Sequence, residues 1–356
     1  MSHRNLSVFC VFMALGLLGV LVAHVCPSPA AAVDRNVEPY RFFLTYAGLS
    51  EEQVASIQNG NPVAKILDSQ TADEVFVFGA VYVKSTPEKY LELASDIDSL
   101  RKLPNYLAIR KFSNPPQLSD LDGFTLDEED IKDLQKCREG KCDVQLPSQT
   151  MEEFRTKVNW GSPDVADQVN RIARQMALET VQEYKQGGNA ALGTYRDKSN
   201  PAAVEEAFRS LVARSNALPV YLPELHSYLL DYPKADNKHI ESEFYWEKVN
   251  FGLKPTARLL QAVLYRGTGS PSPVYAVAVK QLYASHYFQT ALDLTVCVRD
   301  AKQQPGMFLI TLKGSQQAGL TGFKGSIVRK VAVDKTRSSL ERALGAMKQS
   351  LESNPK

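Results

Sequence analysis

Charge blocks are missing from this sequence. Its 41 lysines and arginines and 40 aspartates and glutamates are scattered along 356 residues and leave a formal net charge of +1. Without a basic stripe, nucleic acid is not an expected partner, nor is a membrane surface held by a polybasic patch. Histidine is scarce, at five residues, and His226 and His239 stand at no metal-ligand spacing, so no zinc is expected. Glycine-rich phosphate loops are missing too. Gly319-Leu-Thr-Gly322-Phe-Lys-Gly325 lacks the spacing of a phosphate cradle, and its glycines are expected to shape the approach to the last helix. No Gly-x-Ser-x-Gly occurs. Ser285-His286, with Asp293 further along, therefore reads as a hydrogen-bonding histidine at a sheet edge or pocket mouth and not as a triad. No solenoid-like repeat is present, and no cofactor or metal is expected.

One long apolar run is present. Leu6 to Val25 carries no lysine, arginine, aspartate or glutamate, follows His3 and Arg4, and runs into Pro27, Pro29 and Ala30-Ala31-Ala32. A basic head, an apolar middle and a small-residue exit form the pattern of a secretory signal, so residues 1–32 are expected to be cleaved after Ala32 and the product to be periplasmic or secreted. The competing reading is a retained anchor, since about twenty apolar residues suffice to span a bilayer. Lipid attachment at Cys26 is disfavoured by the bulky Val25 before it. Membrane contact would otherwise be transient.

Five cysteines include Cys10 and Cys26, which leave with the signal. In an oxidising compartment Cys137 and Cys142 are expected to close a small disulfide loop turning at Gly140. Cys297, inside the apolar run Leu292 to Val298, reads as a buried core thiol. Apolar residues make up 44% of the chain and charged ones 23%, which suits a globular protein.

Residues 33–73 read as an N-terminal extension: an extended piece at Tyr40 to Tyr46, a helix capped by Ser50, and a possible strand at Val63 to Leu67. Val75 to Val83 is a β-rich run. Thr86-Pro87 opens a helix to about Ala94, a second runs from Asp96 to Lys102, and Tyr106 to Phe112 is another strand. Residues 114–240 carry helical signals punctuated by proline and glycine and read as an all-α segment. Within it, Asp120-Leu-Asp122-Gly123 and Glu129 hint at a calcium loop. Pro115-Pro116 removes the entering helix, so these acids are better used at the first turn of the helix after Thr125. From Glu243 five β-rich runs follow one another as an antiparallel meander, and a long helix from Ser326 or Asp334 to Glu352 closes the chain.

With residues 114–240 set aside, the order is strand, two helices, strand, five strands, long helix. Ala80-Val-Tyr-Val-Lys-Ser-Thr-Pro-Glu-Lys-Tyr-Leu-Glu-Leu-Ala-Ser-Asp96 resembles the first strand and opening helix of the START-like (polyketide cyclase and lipid-transfer, helix-grip) superfamily. Gly322-Phe-Lys-Gly-Ser-Ile-Val-Arg329 and Ser339-Leu-Glu-Arg-Ala-Leu-Gly-Ala-Met-Lys348 resemble its closing loop and helix. The resemblance covers residues 74–113 and 241–356. It implies an α+β helix-grip fold, an antiparallel sheet curved around the C-terminal helix and interrupted by the all-α insertion, with a cavity for an apolar small molecule or lipid. Candidate ligand-binding residues are Trp246, Phe251, Tyr265, Tyr275, Tyr283, His286, Phe288, Phe308, Phe323 and Arg329. On strand Val274 to Ala284 both faces are apolar, so the C-terminal helix is expected on one and the insertion on the other, with Tyr275, Val277, Val279, Gln281 and Tyr283 sharing a face. The function expected is an exported, non-enzymatic carrier. The alternatives are an envelope protein-interaction module acting through the insertion, and a cyclase- or hydrolase-type enzyme using the same cavity.

Overall fold

The architecture comes from a computed structural model, which describes residues 39–101, 106–215, 217–234, 238–250, 254–268, 274–300, 305–318, 320 and 322–353. The expected signal segment lies outside them. Among the described residues no helix is long and apolar enough to cross a membrane.

Helices α1 (Tyr40–Thr45) and α2 (Glu51–Gln58) come first. The Ser50 capping box is present, with Gln53 N–H donating to Ser50 Oγ at 3.3 Å and Ser50 N–H to Gln53 Oε1 at 3.0 Å. The piece expected to be extended at Tyr40 to Tyr46 is helical instead. Its β-prone aromatics are set by tertiary packing, Phe42 and Phe43 meeting Phe78 and Phe43 meeting Phe308. Strand β1 (Val63–Leu67) pairs with β2 (Glu74–Val83). Helix α3 (Pro87–Ser95) starts where Thr86 accepts the Lys89 amide and Pro87 fixes the first turn. Helix α4 (Ile97–Arg101) leads towards β3 (Tyr106–Lys111).

The next segment carries α5 (Glu128–Leu134), α6 (Ser148–Lys157), α7 (Val165–Gly187), α8 (Val204–Ala213), α9 (Leu218–Tyr221) and α10 (Pro223–Asp231). Among its described residues it also holds a short ribbon, β4 (Thr194–Tyr195) with β5 (Ala202–Ala203), and isolated bridges at Arg138–Lys141 and Lys141–Lys198. Strand β5 occupies residues expected to begin the helix after Pro201, which starts at Val204 instead. The expected meander follows as β6 (Ile240–Val249), β7 (Thr256–Arg266), β8 (Tyr275–Ala284), β9 (Phe288–Arg299) and β10 (Met307–Gln317), each antiparallel to the next. Helix α11 (Gly322–Glu352) ends the chain. It begins at Gly322, so the glycines expected in a closing loop lie partly within it.

The protein is thus a mixed α+β fold around an eight-stranded antiparallel sheet of order β1-β2-β10-β9-β8-β7-β6-β3, with a long C-terminal helix. The sheet has two buried faces. On one, here the helix face, α3, α4 and α11 pack over Val77, Tyr245, Leu260, Val277, Cys297 and Leu309. On the other, the insertion face, α1 and α2 cover Phe78 and Phe308. Helices α6 and α7 cover Phe244, Trp246 and Leu259 there, and α8 to α10 cover Val263, Ala278 and Leu294. Period-two alternation with apolar residues on both faces is what makes these strands read as nearly continuous hydrophobic runs.

Candidate functional site

The helix face carries charge in its interior. Glu247 on β6 and Arg258 on β7 are cross-strand partners, 3.1 Å apart, with side chains only 5% and 12% exposed. Burial pushes the Glu247 carboxyl upward even though Arg258 lies against it. Asp293 on β9 and Lys313 on β10 form a second hydrogen-bonded cross-strand pair. Their side chains are 35% and 37% exposed, so solvent reaches this face there. Gln281 on β8 is fully buried. Its Nε2 donates to the Phe288 carbonyl at 3.1 Å, and its Oε1 has no hydrogen-bond partner among the described residues.

Three phenols and two threonine hydroxyls join this group. Tyr90 of α3 reaches Thr295, and burial raises it above the ordinary phenol range. Tyr106 and Tyr245 are raised in the same way, with the Glu247 carboxylate adding to the effect in both. Thr295 and Thr311 Oγ1 atoms are 3.1 Å apart. The arrangement offers paired charges that sum to zero, several hydroxyls and a carboxamide acceptor, all set in apolar surroundings.

On the insertion face, two polar clusters tie the helical segment to the sheet. His286, 3% exposed, sits in the tight β8–β9 connection beside Tyr287, whose φ is +63°. Its Nδ1 lies 3.0 Å from the Asp143 carbonyl and its Nε2 3.1 Å from Asp130 Oδ2 on α5. Lys254 Nζ stands 2.9 Å from both Asp130 Oδ1 and Asp133 Oδ2. Burial works to raise the Asp130 carboxyl, but His286 and Lys254 outweigh it and hold it below the ordinary range. Ser285 is buried, with its Oγ accepting the Ala257 amide at 3.0 Å. The second cluster is Lys280 on β8, fully buried. Its Nζ is hydrogen-bonded to Asn189 Oδ1 and, at 3.1 Å, to Tyr184 Oη, and it stands 3.8 Å from the Phe208 ring centroid. Burial drives the Lys280 amine well below its ordinary value.

The expected ligand-binding aromatics do not share one pocket. Trp246 packs in the insertion-face core, its Nε1 donating to the Asp120 carbonyl at 2.8 Å and its ring crossing Phe124 edge-on. Tyr265 lies under α8 to α10, and Phe308 lies under α1. Tyr283 bonds the Gln145 carbonyl at 3.0 Å on the insertion face. Its expected grouping with Tyr275 fails because the β7–β8 register shifts between Leu259 and Leu260, leaving Leu282 as an extra residue that reverses the alternation. Tyr275 is on the helix face beside Arg299, and Phe288 lies under the Arg258 guanidinium. Phe251 is outside the described residues. Phe323 and Arg329 fall in the first turns of α11, where only the backbone is described.

The disulfide joins Cys137 to Cys142, and Cys297 is a buried free thiol. Asp120 is used by its own loop, accepting from the Ser113 and Gln117 amides at 3.0 and 2.8 Å. Among the described residues no three histidine, cysteine, aspartate or glutamate side chains gather as metal ligands. The helix-face charges were missed in the sequence, although a signal was there: isolated charges set among apolar positions of successive strands.

No protein-family model matches the chain, and no curated protein matches it in sequence.

Proposed function

We propose that the protein is an exported binder or carrier of an uncharged or zwitterionic amphipathic small molecule, held on the helix face of the sheet in a helix-grip arrangement. The observation that carries this reading is the line Glu247–Arg258, Gln281, Asp293–Lys313 on an otherwise apolar face that solvent reaches at its Asp293–Lys313 end. A buried ion pair is a weak source of stability, because desolvating both charges offsets their attraction. Polar groups that break the core pattern are expected where recognition is needed. The strand order β2-β10-β9-β8-β7-β6-β3, with two short helices before β3 and a long terminal helix, supports the arrangement that the START-like resemblance implies. The export reading draws on the N-terminal residues and on the Cys137–Cys142 bridge, which suits an oxidising compartment.

A mild purification followed by native mass spectrometry and solvent extraction tests the reading. A bound amphipath is expected, and Arg258→Met with Lys313→Ala should lower its occupancy. Protein that comes out empty and takes up no amphipath from mixed-lipid vesicles would refute it. One observation favours a catalytic variant of the same reading: Glu247 is a buried acid, raised by desolvation, with Tyr106 and Tyr245 nearby. Chemical conversion of the extracted amphipath by wild type but not by Glu247→Gln would establish it.

A further inference from the structure

We propose that the insertion face holds a separate binding site, a half-open apolar cleft that takes up a small uncharged aromatic molecule, of the phenol or indole class. It lies where α8 and the start of α9 lean on β2, β9 and β10, on the side of the sheet away from α11. Its volume is about 130 Å³. That is close to the roughly 150 Å³ of an apolar cavity that stays dry and accepts benzene. Leu67, Phe76, Leu211, Leu218, Leu294 and Leu312 contribute to its walls.

Its polar lining residues are Asp68, Arg214, Ser215 and Lys313, the last with its ammonium hydrogen-bonded to Asp293. The Arg214 guanidinium is already engaged, its Nε donating to Glu74 Oε1 at 3.1 Å. A ligand carboxylate would therefore have to compete with Glu74, whereas a hydroxyl or ring N–H needs only an acceptor, which Asp68 and Ser215 supply.

Gly314 accounts for how two walls of the cleft come together. It sits inside β10, where glycine weakens a strand and marks a site that another group approaches closely. A Cβ there would come within 2.9 Å of Phe76 Cε1 and 3.3 Å of Leu211 Cδ1, both of which belong to cleft-lining residues. The missing side chain lets Phe76 and Leu211 converge over the strand.

The site is tested by titrating the leucine- and valine-methyl-labelled protein with phenol and indole while following methyl NMR shifts. Saturable shifts of Leu211, Leu218 and Leu294 are expected, with Val277 and Val279 on the helix face unmoved. Benzoate and benzylammonium should bind at least about tenfold more weakly, since a charge entering an apolar cleft loses its hydration. Val212→Phe fills the space and should abolish saturation. Leu211→Ala enlarges it and should raise the affinity for naphthol relative to phenol, which keeps the test intact if the filled variant does not fold. Shifts that never saturate, that saturate equally with the charged probes, or that persist in Val212→Phe would overturn the assignment. Shifts at Val277 and Val279 instead of the cleft methyls would move the ligand to the helix face and also overturn it.

Discussion

Two polar clusters fasten the helical segment to the insertion face of the sheet, and the protein treats their nitrogen bases in opposite ways. Around His286 and Lys254, carboxylates at Asp130 and Asp133 meet the side-chain nitrogens at 2.9 to 3.1 Å. Around Lys280, among the described residues, the partners are an amide oxygen, a phenol and two aromatic faces, with no carboxylate at ion-pair distance. The first cluster can keep the Lys254 charge because Asp130 and Asp133 lie against it. The second holds an amine whose charged form is strongly disfavoured. The sheet face thus carries an ion-paired clamp in one place and, among the described residues, an amine without a counter-charge in the other.

The largest expected effect comes from breaking the clamp. Asp130→Ala leaves buried His286 Nε2 without its carboxylate and Lys254 with Asp133 and Glu129 alone, and removing one partner of a buried pair costs about 3–5 kcal/mol. Urea unfolding measures this, and a loss below about 1 kcal/mol, the worth of an ordinary hydrogen bond, would mean that the clamp is not structural. The same contact fixes an acid dependence. The Asp130 carboxyl is held below its unfolded value, so its contribution is complete above the unfolded carboxylate range and disappears as pH falls through the folded value. Lowering the pH should therefore weaken wild type more steeply than Asp130→Ala.

A smaller change sharpens what supports the clamp. Both partners of His286, Asp130 and the Asp143 carbonyl, flank the loop that Cys137 and Cys142 close. Replacing both cysteines by serine should cost about 2 kcal/mol from loop entropy, read as a lower urea midpoint. It should also speed amide exchange at Gln145, whose N–H bonds the Ser285 carbonyl at 2.8 Å. An unchanged exchange rate there would show that the bridge and the clamp are independent. Trp246→Phe keeps the ring against Phe124 but removes the N–H to the Asp120 carbonyl. About 1 kcal/mol is expected from that hydrogen bond, and a loss above about 3 kcal/mol, the scale of lost aromatic packing, would show that ring packing dominates.

The contrast between the clusters also explains what could be read in the sequence. The meander was legible because apolar runs from Ile240 to Gln317 are separated by turn residues, and α2 and α3 were legible because Ser50 and Thr86-Pro87 act on backbone within one turn. The Cys137–Cys142 bridge was legible for the same reason of short range. Asp130 and His286 are separated by 156 residues and Lys280 and Asn189 by 91, so no local pattern pairs them. Aromatic residues announced a core but not its side. One extra residue at Leu282 is enough to turn Tyr283 away from Tyr275, and alternation alone cannot foresee it. Glu247, Arg258, Lys280, Asp293 and Lys313 were visible as charges inside strands, yet only the sheet order puts four of them in line on the helix face and Lys280 alone on the other.

Lys280→Met gives the smallest change in stability at high pH and the sharpest discrimination between the clusters. A methionine fills a similar volume among Phe208, Tyr184 and Asn189 without an amine to desolvate, so stability near pH 10 should shift by less than about 1.5 kcal/mol. The pH slope is where the variant must differ. In the unfolded chain the amine titrates near about 10.4, while burial holds the folded value well below that. Between the two the unfolded state carries a proton that the native state lacks, so stability rises with pH across this window. The contribution is complete above the unfolded value and is lost as pH falls towards the folded one. Urea midpoints taken from pH 7 to pH 10 should climb in wild type and run flatter in Lys280→Met by up to one proton's worth of slope. Equal slopes would mean that Lys280 keeps its charge in the fold, and the contrast with the His286 clamp would be lost.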